Sequence, residues 1–484
     1  MKKHNFFIPV ILCLMGWFVL TYRILDVPPG INGDEAAIGL NALNIAREGK
    51  DLRGSVFPIF TSLPDSSDWK QPITIYSEVL AFKIFKPSYF TLRAVSVFFA
   101  IASGVLIFLL LRDLLGLIPA VFGFLLFLTT PIIVIQSHLA LENIAPVPFI
   151  TLWLIAIVKY NQNPKSRYLL MMALSLIFSF YSYLGMRLIM PVLFFLSIAF
   201  LFYKNKQKIL IFISIFIPFV ISLLFFKDQY PGSLWGLYRP YIVESYQQFL
   251  LPFISNFDPS FLYIKGDITP YHSTGKHGMI LLATLPLFLL GVIKIVRINK
   301  GISNFILISF FLAPILFGLG STIHRASRLL ALVPMYITIC MFGVVSILEI
   351  KGKFVKTLLI SGITILIFVN YLDFTADNWF EYPKRVQSDF ARPIHLGFEK
   401  LYEQSKQNNL VPLVQKELHV QNPTAFSFFE LTYFPDLVKK WSDLTDIPPS
   451  SAILVGKGGI NLELIKHLQL IDVSGSDFYI LINK

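Results

Sequence analysis

Two adjacent carboxylates, Asp34 and Glu35, stand where the first apolar run of the chain gives way to Pro28-Pro29-Gly30-Ile31-Asn32-Gly33. A positioned carboxylate can take the proton of an alcohol and turn it into a nucleophile. Three arginines, Arg187, Arg325 and Arg328, lie in very short turns between apolar runs, where an orientation bias against external positive charge should remove them. A guanidinium is a planar fork of donors suited to phosphate. Residues of these types could deprotonate a hydroxyl and hold an anion. Each also has a plainer reading: Asp34 as the N-cap of the helix that follows, with Glu35 as a first-turn acid, and the arginines as side chains reaching lipid headgroups.

Pro and Gly rule out a continuous helix before Asp34. After it, Ala36, Ala37, Leu40, Leu43 and Ile45 alternate with polar residues at helical spacing, and Gly49 is a natural stop. The carboxylates are therefore expected at the mouth of a short amphipathic helix resting on a membrane surface.

The elements around them are membrane spans. The 484 residues are 55% hydrophobic and only 14% charged, far below the charge of a soluble chain. Apolar runs of spanning length fall at roughly 6–24, 91–111, 115–133, 143–159, 168–183, 188–203, 209–226, 278–296, 304–320, 329–348 and 355–373. The N-terminal run carries no small-residue cleavage site and is read as the first span. The fold class expected is an all-α polytopic membrane protein of about eleven spans. Short basic connections mark one side as cytoplasmic, and the long segments at about 25–90 and 227–277 lie outside. An odd number of spans then puts the N-terminus inside and the C-terminus outside.

The net charge of +12 would point to nucleic acid in a soluble protein. In this setting it fits cytoplasmic loops and anionic lipid or phosphate partners. Two cysteines, Cys13 and Cys340, both inside apolar runs, argue against a disulfide framework or a cysteine-based zinc site.

Residues 1–373 are read as the membrane domain and 374–484 as a small external α/β domain. In the latter, strands are expected at His419-Val420, Ser451–Val455 and Phe478–Ile482. Helices are expected near 393–407, 426–441 and 460–468. The first loop continues with an amphipathic stretch at Ile73–Phe85. His138 and Glu142, four apart in a short turn, read as a polar pair ending two spans. Asp267, His272 and His277 are of metal-ligating type but match no ligand spacing.

The first loop as a whole resembles a known family. Asp34-Glu35 after the first run, then Gly49-Lys50-Asp51, Gly54 and Pro58, then Lys70-Gln71-Pro72 and Tyr76, then Arg93 before the second run are similar to the C-type, multi-spanning glycosyltransferases. The closer resemblance is to bacterial glycosyltransferase family 39 proteins, the protein O-mannosyltransferase and aminoarabinose transferase branch. Phe261-Leu262-Tyr263, Gly266-Asp267, Tyr271-His272, and His324-Arg325 with Arg328 and Pro334 are also family-like.

The resemblance implies a sugar donor on a polyprenyl phosphate, attacked with inversion at the outer face by an acceptor on protein, lipid or cell-surface polymer. Asp34 would be general base, with Glu35 supporting it or contacting substrate. Lys70, Arg187, Arg325 and Arg328 would bind the leaving phosphate. Relatives often carry an acid directly before the lysine corresponding to Lys70. Here Trp69 stands there and Asp68 one step earlier, so if a divalent metal is held, Asp68 and His272 are its candidates. Two other readings use the same features: a flippase for lipid-linked glycans, which calls for charges buried in mid-span, and a ligase moving a whole glycan.

Overall fold

Every long apolar run folds as helix, the backbone state that satisfies its own hydrogen bonds away from water. A computed structural model describes residues 7–484 except 235–242, 321–322, 421, 436–438, 445 and 459–464. The helices are α1 (Phe7–Thr21), α2 (Gly33–Glu48), α3 (Pro72–Ile84), α4 (Tyr89–Leu115), α5 (Leu117–Leu128), α6 (Pro131–Ser137), α7 (Pro146–Gln162), α8 (Ser166–Phe180), α9 (Met186–Lys204), α10 (Lys208–Ile215) and α11 (Ile217–Gln229). They continue as α12 (Tyr246–Ile254), α13 (Leu285–Ile298), α14 (Gly301–Leu312), α15 (Ala326–Leu329), α16 (Val333–Leu348), α17 (Lys353–Ala376), α18 (Tyr382–Arg385), α19 (Arg392–Gln407) and α20 (Pro423–Tyr433).

Among the described residues, seven helical segments are long and apolar enough to cross a membrane. An eighth forms if α5 and α6, bent by 57° at Thr129-Thr130-Pro131, count as one span. At the bend the Thr130 hydroxyl donates to the Leu126 carbonyl at 2.7 Å. Helices α1 and α8 are apolar but shorter.

The described chain forms two compact units. The first comprises residues 1–22, 58–77 and 94–378, and the second residues 23–57, 78–93 and 379–484. In the first, α13 packs along α16 and α7 along α8.

The second unit contains a five-stranded sheet in the order β2-β1-β3-β5-β4, made of β1 (Val411–Gln415), β2 (Lys439–Trp441), β3 (Ser451–Gly456), β4 (Gln469–Asp472) and β5 (Phe478–Asn483). The pairs β1–β2 and β1–β3 are parallel, and β5 runs antiparallel to both β3 and β4. Leu413, Ile453, Val455 and Leu481 form one core of this sheet. Helix α19 covers a face at Gly397, where a Cβ would lie 3.0 Å from Leu454.

Three expectations for the tail are corrected. His419 and Val420 end a 3-10 turn (Lys416–Val420) and not a strand. Strands β1, β2 and β4 arise where no strand was read, because short strands completed by distant neighbours carry little local pattern. Helix α20 stops at Tyr433, and Lys439–Trp441 is strand. The helix expected at 460–468 falls largely outside the described residues.

Helix α2 starts at Gly33, ahead of the start that a cap at Asp34 would set, and ends as read, with Gly49 at φ 72° as its left-handed C-cap. Its surroundings differ. Residues Glu35 to Leu43 are buried, and α20 lies so close that a Cβ on Gly39 would meet the Phe428 ring at 2.5 Å. Its apolar side is covered by protein, not by a membrane surface.

Candidate active site

In the second unit the site is built from the start of α2. Asn32 is the N-cap: its side-chain oxygen accepts from the Glu35 amide at 2.9 Å, and the Asn32 amide donates to Glu35 Oε2 at 3.2 Å. This is a capping box, and it satisfies two of the donors that a helix start leaves over. The capping role considered for Asp34 therefore belongs to Asn32. Asp34 sits one step inside the helix, exposed, in the positive field of the helix N-terminus.

Glu35 is fully buried and pairs with fully buried Arg93, at 3.1 Å from Nε and 3.2 Å from Nη2. The other Arg93 donors reach the carbonyls of Ile24 at 2.8 Å, Pro28 at 2.9 Å and Gly30 at 2.7 Å. All five guanidinium N–H groups are thereby used. Tyr89 also donates to the Gly30 carbonyl, and the Arg93 guanidinium lies over the Tyr89 ring at 4.3 Å. Gly30 has φ 96°, and a Cβ there would stand 2.3 Å from the Phe390 carbonyl, so glycine is required. Of the two roles offered for Glu35, its burial fits support: it anchors the turn that presents Asp34.

Sequence reasoning passed over Glu78 on α3. It is fully buried, and among the described residues neither carboxylate oxygen has a hydrogen-bond partner. Burial pushes its acid well above the usual carboxylate range, and the charge of Glu35 adds to the shift. An acid in the middle of the apolar Ile73–Phe85 stretch was the available signal.

In the first unit, Lys70 and Gln71 form the second cluster. Lys70 is fixed by backbone pairing with Thr61, and its Nζ meets Asp68 at 2.6 Å. The Gln71 amide donates to Glu142, and the Gln71 side-chain oxygen accepts from Arg187 Nη2 at 2.7 Å. Arg187 also donates to the carbonyls of Phe180 at 3.1 Å, Ser233 at 3.2 Å and Leu234 at 3.3 Å, and it lies over the Phe180 ring at 4.5 Å. Glu142 feels the charges of Lys70, Arg187 and Asp68.

Tyr183 links this group to the second pair of arginines. Its hydroxyl donates to Ser327 at 2.9 Å. Burial raises its acid, the field of Arg328, the Ser327 bond and the field of Arg325 oppose the rise, and Glu142 adds to it. Lys70, Arg187, Arg325 and Arg328, read separately along the sequence, thus gather around Glu142 and Tyr183. Nearby, Asp267 is buried and accepts from the Ala326 amide at 2.8 Å. Glu142 and Tyr183 are the members that sequence reasoning missed. In the sequence Glu142 reads as half of a polar pair with His138.

The metal candidates do not assemble. Asp68 is held by Lys70, and His272 Nδ1 lies 3.0 Å from Gln136 Nε2, whose amide oxygen accepts from Asn143 at 2.9 Å. Among the described residues no three His, Cys, Asp or Glu side chains come together as a ligand set. The candidates Asp68 and His272, as placed among the described residues, do not fit a divalent metal.

Solved structures share this architecture. ArnT from Cupriavidus metallidurans, crystallised with undecaprenyl phosphate, superposes with a TM-score of 0.55 and 10% identity, over 99% of this chain and 98% of its own. The apo form of the same protein gives 0.55 and 11% over the same shares. This chain has the ArnT fold. The archaeal oligosaccharyltransferase AglB from Archaeoglobus fulgidus, with an inhibitory peptide and dolichol-phosphate, superposes at 0.47 and 12% identity over 88% of this chain and 64% of its own. No protein-family model and no curated protein matches the sequence.

The resemblance drawn from the first loop, to C-type multi-spanning glycosyltransferases and their aminoarabinose transferase branch, thus holds for the fold. Within this ArnT fold, the second unit carries an exposed acid on a rigid, capped helix start. The first unit carries a gathering of cations. The acid could accept a proton, and the cations could stabilise charge on a phosphate.

Proposed function

We propose that the protein is a membrane glycosyltransferase that moves a sugar from a polyprenyl-phosphate donor to an acceptor hydroxyl on protein, lipid or cell-surface polymer. The observation that carries this reading is the gathering of Lys70, Arg187, Arg325 and Arg328 around Glu142 and Tyr183 in a chain of ArnT fold. A leaving phosphate needs donors aimed at the charge it develops, and arginine and lysine supply them where water is excluded. The donor class is drawn from ArnT, which was crystallised with undecaprenyl phosphate.

In the reaction, the acceptor oxygen forms a bond to the anomeric carbon as the bond from that carbon to the phosphate oxygen breaks. The lipid phosphate leaves with the bonding pair. Asp34 takes the acceptor proton, and attack from the face opposite the phosphate inverts the centre. Glu35 and Arg93 position Asp34 without touching substrate. The chain crosses the membrane about eleven times with its N-terminus inside, following the distribution of basic loops. Residues 374–484 and the chemistry then lie on the extracytoplasmic side.

The test is sugar transfer in membranes holding equal amounts of wild type and Asp34→Asn, supplied with radiolabelled polyprenyl-phosphate sugars and membrane acceptors. Wild type is expected to transfer from one donor, and the variant to lose about 10²- to 10⁴-fold in rate. Equal rates would remove Asp34 from the chemistry. Transport of intact lipid-linked sugar without transfer would replace the enzyme by a flippase.

A further inference from the structure

The second unit holds a cavity that the proposed reaction leaves unused. It measures about 420 Å³ and is bounded by Leu25 and Asp26, by Lys86–Phe90, and by side chains of α19 and α20. Its aromatic lining includes Tyr89, Phe429, Tyr402 and Tyr433. The His395 ring lies among them, stacked on Phe429 at 4.8 Å and 9° and edge-on to Tyr89 at 5.3 Å.

The hydrogen bonds of His395 run in one direction. Arg392 Nη1 lies 3.2 Å from Nδ1, and an arginine can only donate, so Nδ1 accepts. The ring proton is then on Nε2, 3.1 Å from the Tyr433 oxygen, which accepts in turn. The Tyr433 hydroxyl proton is therefore directed away from His395, and Tyr433 lines the cavity as a donor. Burial, and after it the charges of Arg392 and Arg93, together lower the His395 acid to about 3. The ring stays neutral at ordinary pH, and the relay from Arg392 through His395 to Tyr433 keeps its direction.

Charges of both signs line the cavity: Lys86 and Arg392, with Asp26 and Glu399. Asp26 also lies 3.6 Å from Arg23. A phosphate here would meet two carboxylates at close range, which penalises an anion. A polyol has no such conflict: it can accept from Arg392, Lys86 and Tyr433 and donate to Glu399 and Asp26. Tyr89 and Phe429 are buried beneath Arg93 and His395, whereas Phe90, Tyr402 and Tyr433 keep exposed surface; such rings suit the C–H faces of a pyranose, and a few polar groups on an apolar lining fix orientation.

We propose that this cavity is a subsite for an uncharged saccharide. Only the further statement that the saccharide is part of the acceptor rests on the glycosyltransferase reading. Binding itself does not.

The experiment uses the full-length protein in lipid nanodiscs without donor. Saturation-transfer NMR is recorded with methyl glycosides of glucose, galactose, mannose and N-acetylglucosamine, with inorganic phosphate as competitor. At least one glycoside is expected to bind and to resist displacement by phosphate. Tyr433→Phe removes one hydroxyl donor and is expected to weaken that glycoside by about fivefold to tenfold. Should that variant fail to fold, exposed Glu399→Gln, which removes an acceptor at the rim, is expected to weaken it similarly. Absence of saturation with every glycoside, displacement by phosphate, or unchanged affinity in a folded variant would each overturn the subsite. A protein that binds a glycoside but transfers no sugar keeps the subsite and loses the enzyme reading. One that transfers sugar but binds no glycoside loses only the subsite.

Discussion

Arg93 and Arg187 are both buried arginines, yet they are held in opposite ways. Arg93 faces a carboxylate, and its five N–H groups meet Glu35 and three carbonyls. Arg187 meets an amide oxygen and three backbone carbonyls, so that among the described residues no carboxylate directly neutralises it. Lys70, beside it, pairs with Asp68, whose side chain is 48% exposed. The first arrangement is closed: charge and donors are both matched, and nothing is left to address a ligand. The second keeps positive charge in a region of low water content, which favours an incoming anion. The comparison teaches that burial alone does not define an arginine's role: Arg93 is bonded directly to its carboxylate, whereas Arg187 meets Glu142 only through Gln71 and the field between them.

The sharpest way to break this comparison is Arg93→Met, which leaves Glu35 as a buried unpaired charge. It is expected to cost about 3–5 kcal/mol of stability, seen as lost folded protein in detergent unfolding curves. Arg93→Lys is expected to fail similarly, since three donors on a point charge cannot replace a five-donor fork. Folding of the lysine variant at wild-type stability would show that the fork is dispensable.

Arg328→Gln and Lys70→Gln address the other side. Both should fold normally and lower the rate of transfer from the lipid-phosphate donor by about 10²-fold. A loss confined to stability would place these cations with Arg93 as scaffold. Asn32→Ala removes the cap that sets Asp34 in place. About 1 kcal/mol of stability should disappear, together with part of the transfer rate, because the helix start frays.

The smallest effect is expected at Glu78. Its folded-state acid lies well above the ordinary 4.5 of the unfolded chain, so between those values the folded protein binds more protons. Its contribution is fully present below pH 4.5 and is lost as pH rises toward the folded value. Glu78→Gln should therefore match wild type in acid and become relatively more stable as pH rises. Parallel unfolding profiles from pH 4 to 8 would show that Glu78 is not a buried neutral acid.

Much of the fold was legible because its signals are local. The apolar runs became helices, Gly49 closed α2, and β3 and β5 arose where the tail is most apolar. The cap itself was not: the sequence reads with Asp34 as the cap, and although Asn32 and Glu35 have the capping-box spacing, only the backbone at Asn32 decides between the two. The site was legible by residue type more than by role. Asp34, Lys70 and the three arginines stood out as charges in unusual places. Glu142 and Glu78 did not, because a carboxylate at the edge of an apolar run, or within a short helix, looks the same in sequence whether it meets an amide, a cation or nothing.

By itself, then, the amino-acid sequence determined which segments are helical and apolar, where charge is carried, and that acids and cations occupy the connections. Hydrophobic continuity, turn chemistry and helix capping act over a few residues, so a single chain states them openly. The tertiary structure alone decided that Glu35 pairs with Arg93, 58 positions away. It alone decided that β1 lies between β2 and β3, and that α2 is covered by α20. Desolvation is the physical reason. Whether a charge anchors a turn, awaits an anion or stays protonated depends on what excludes water from it, and that covering comes from distant parts of the chain.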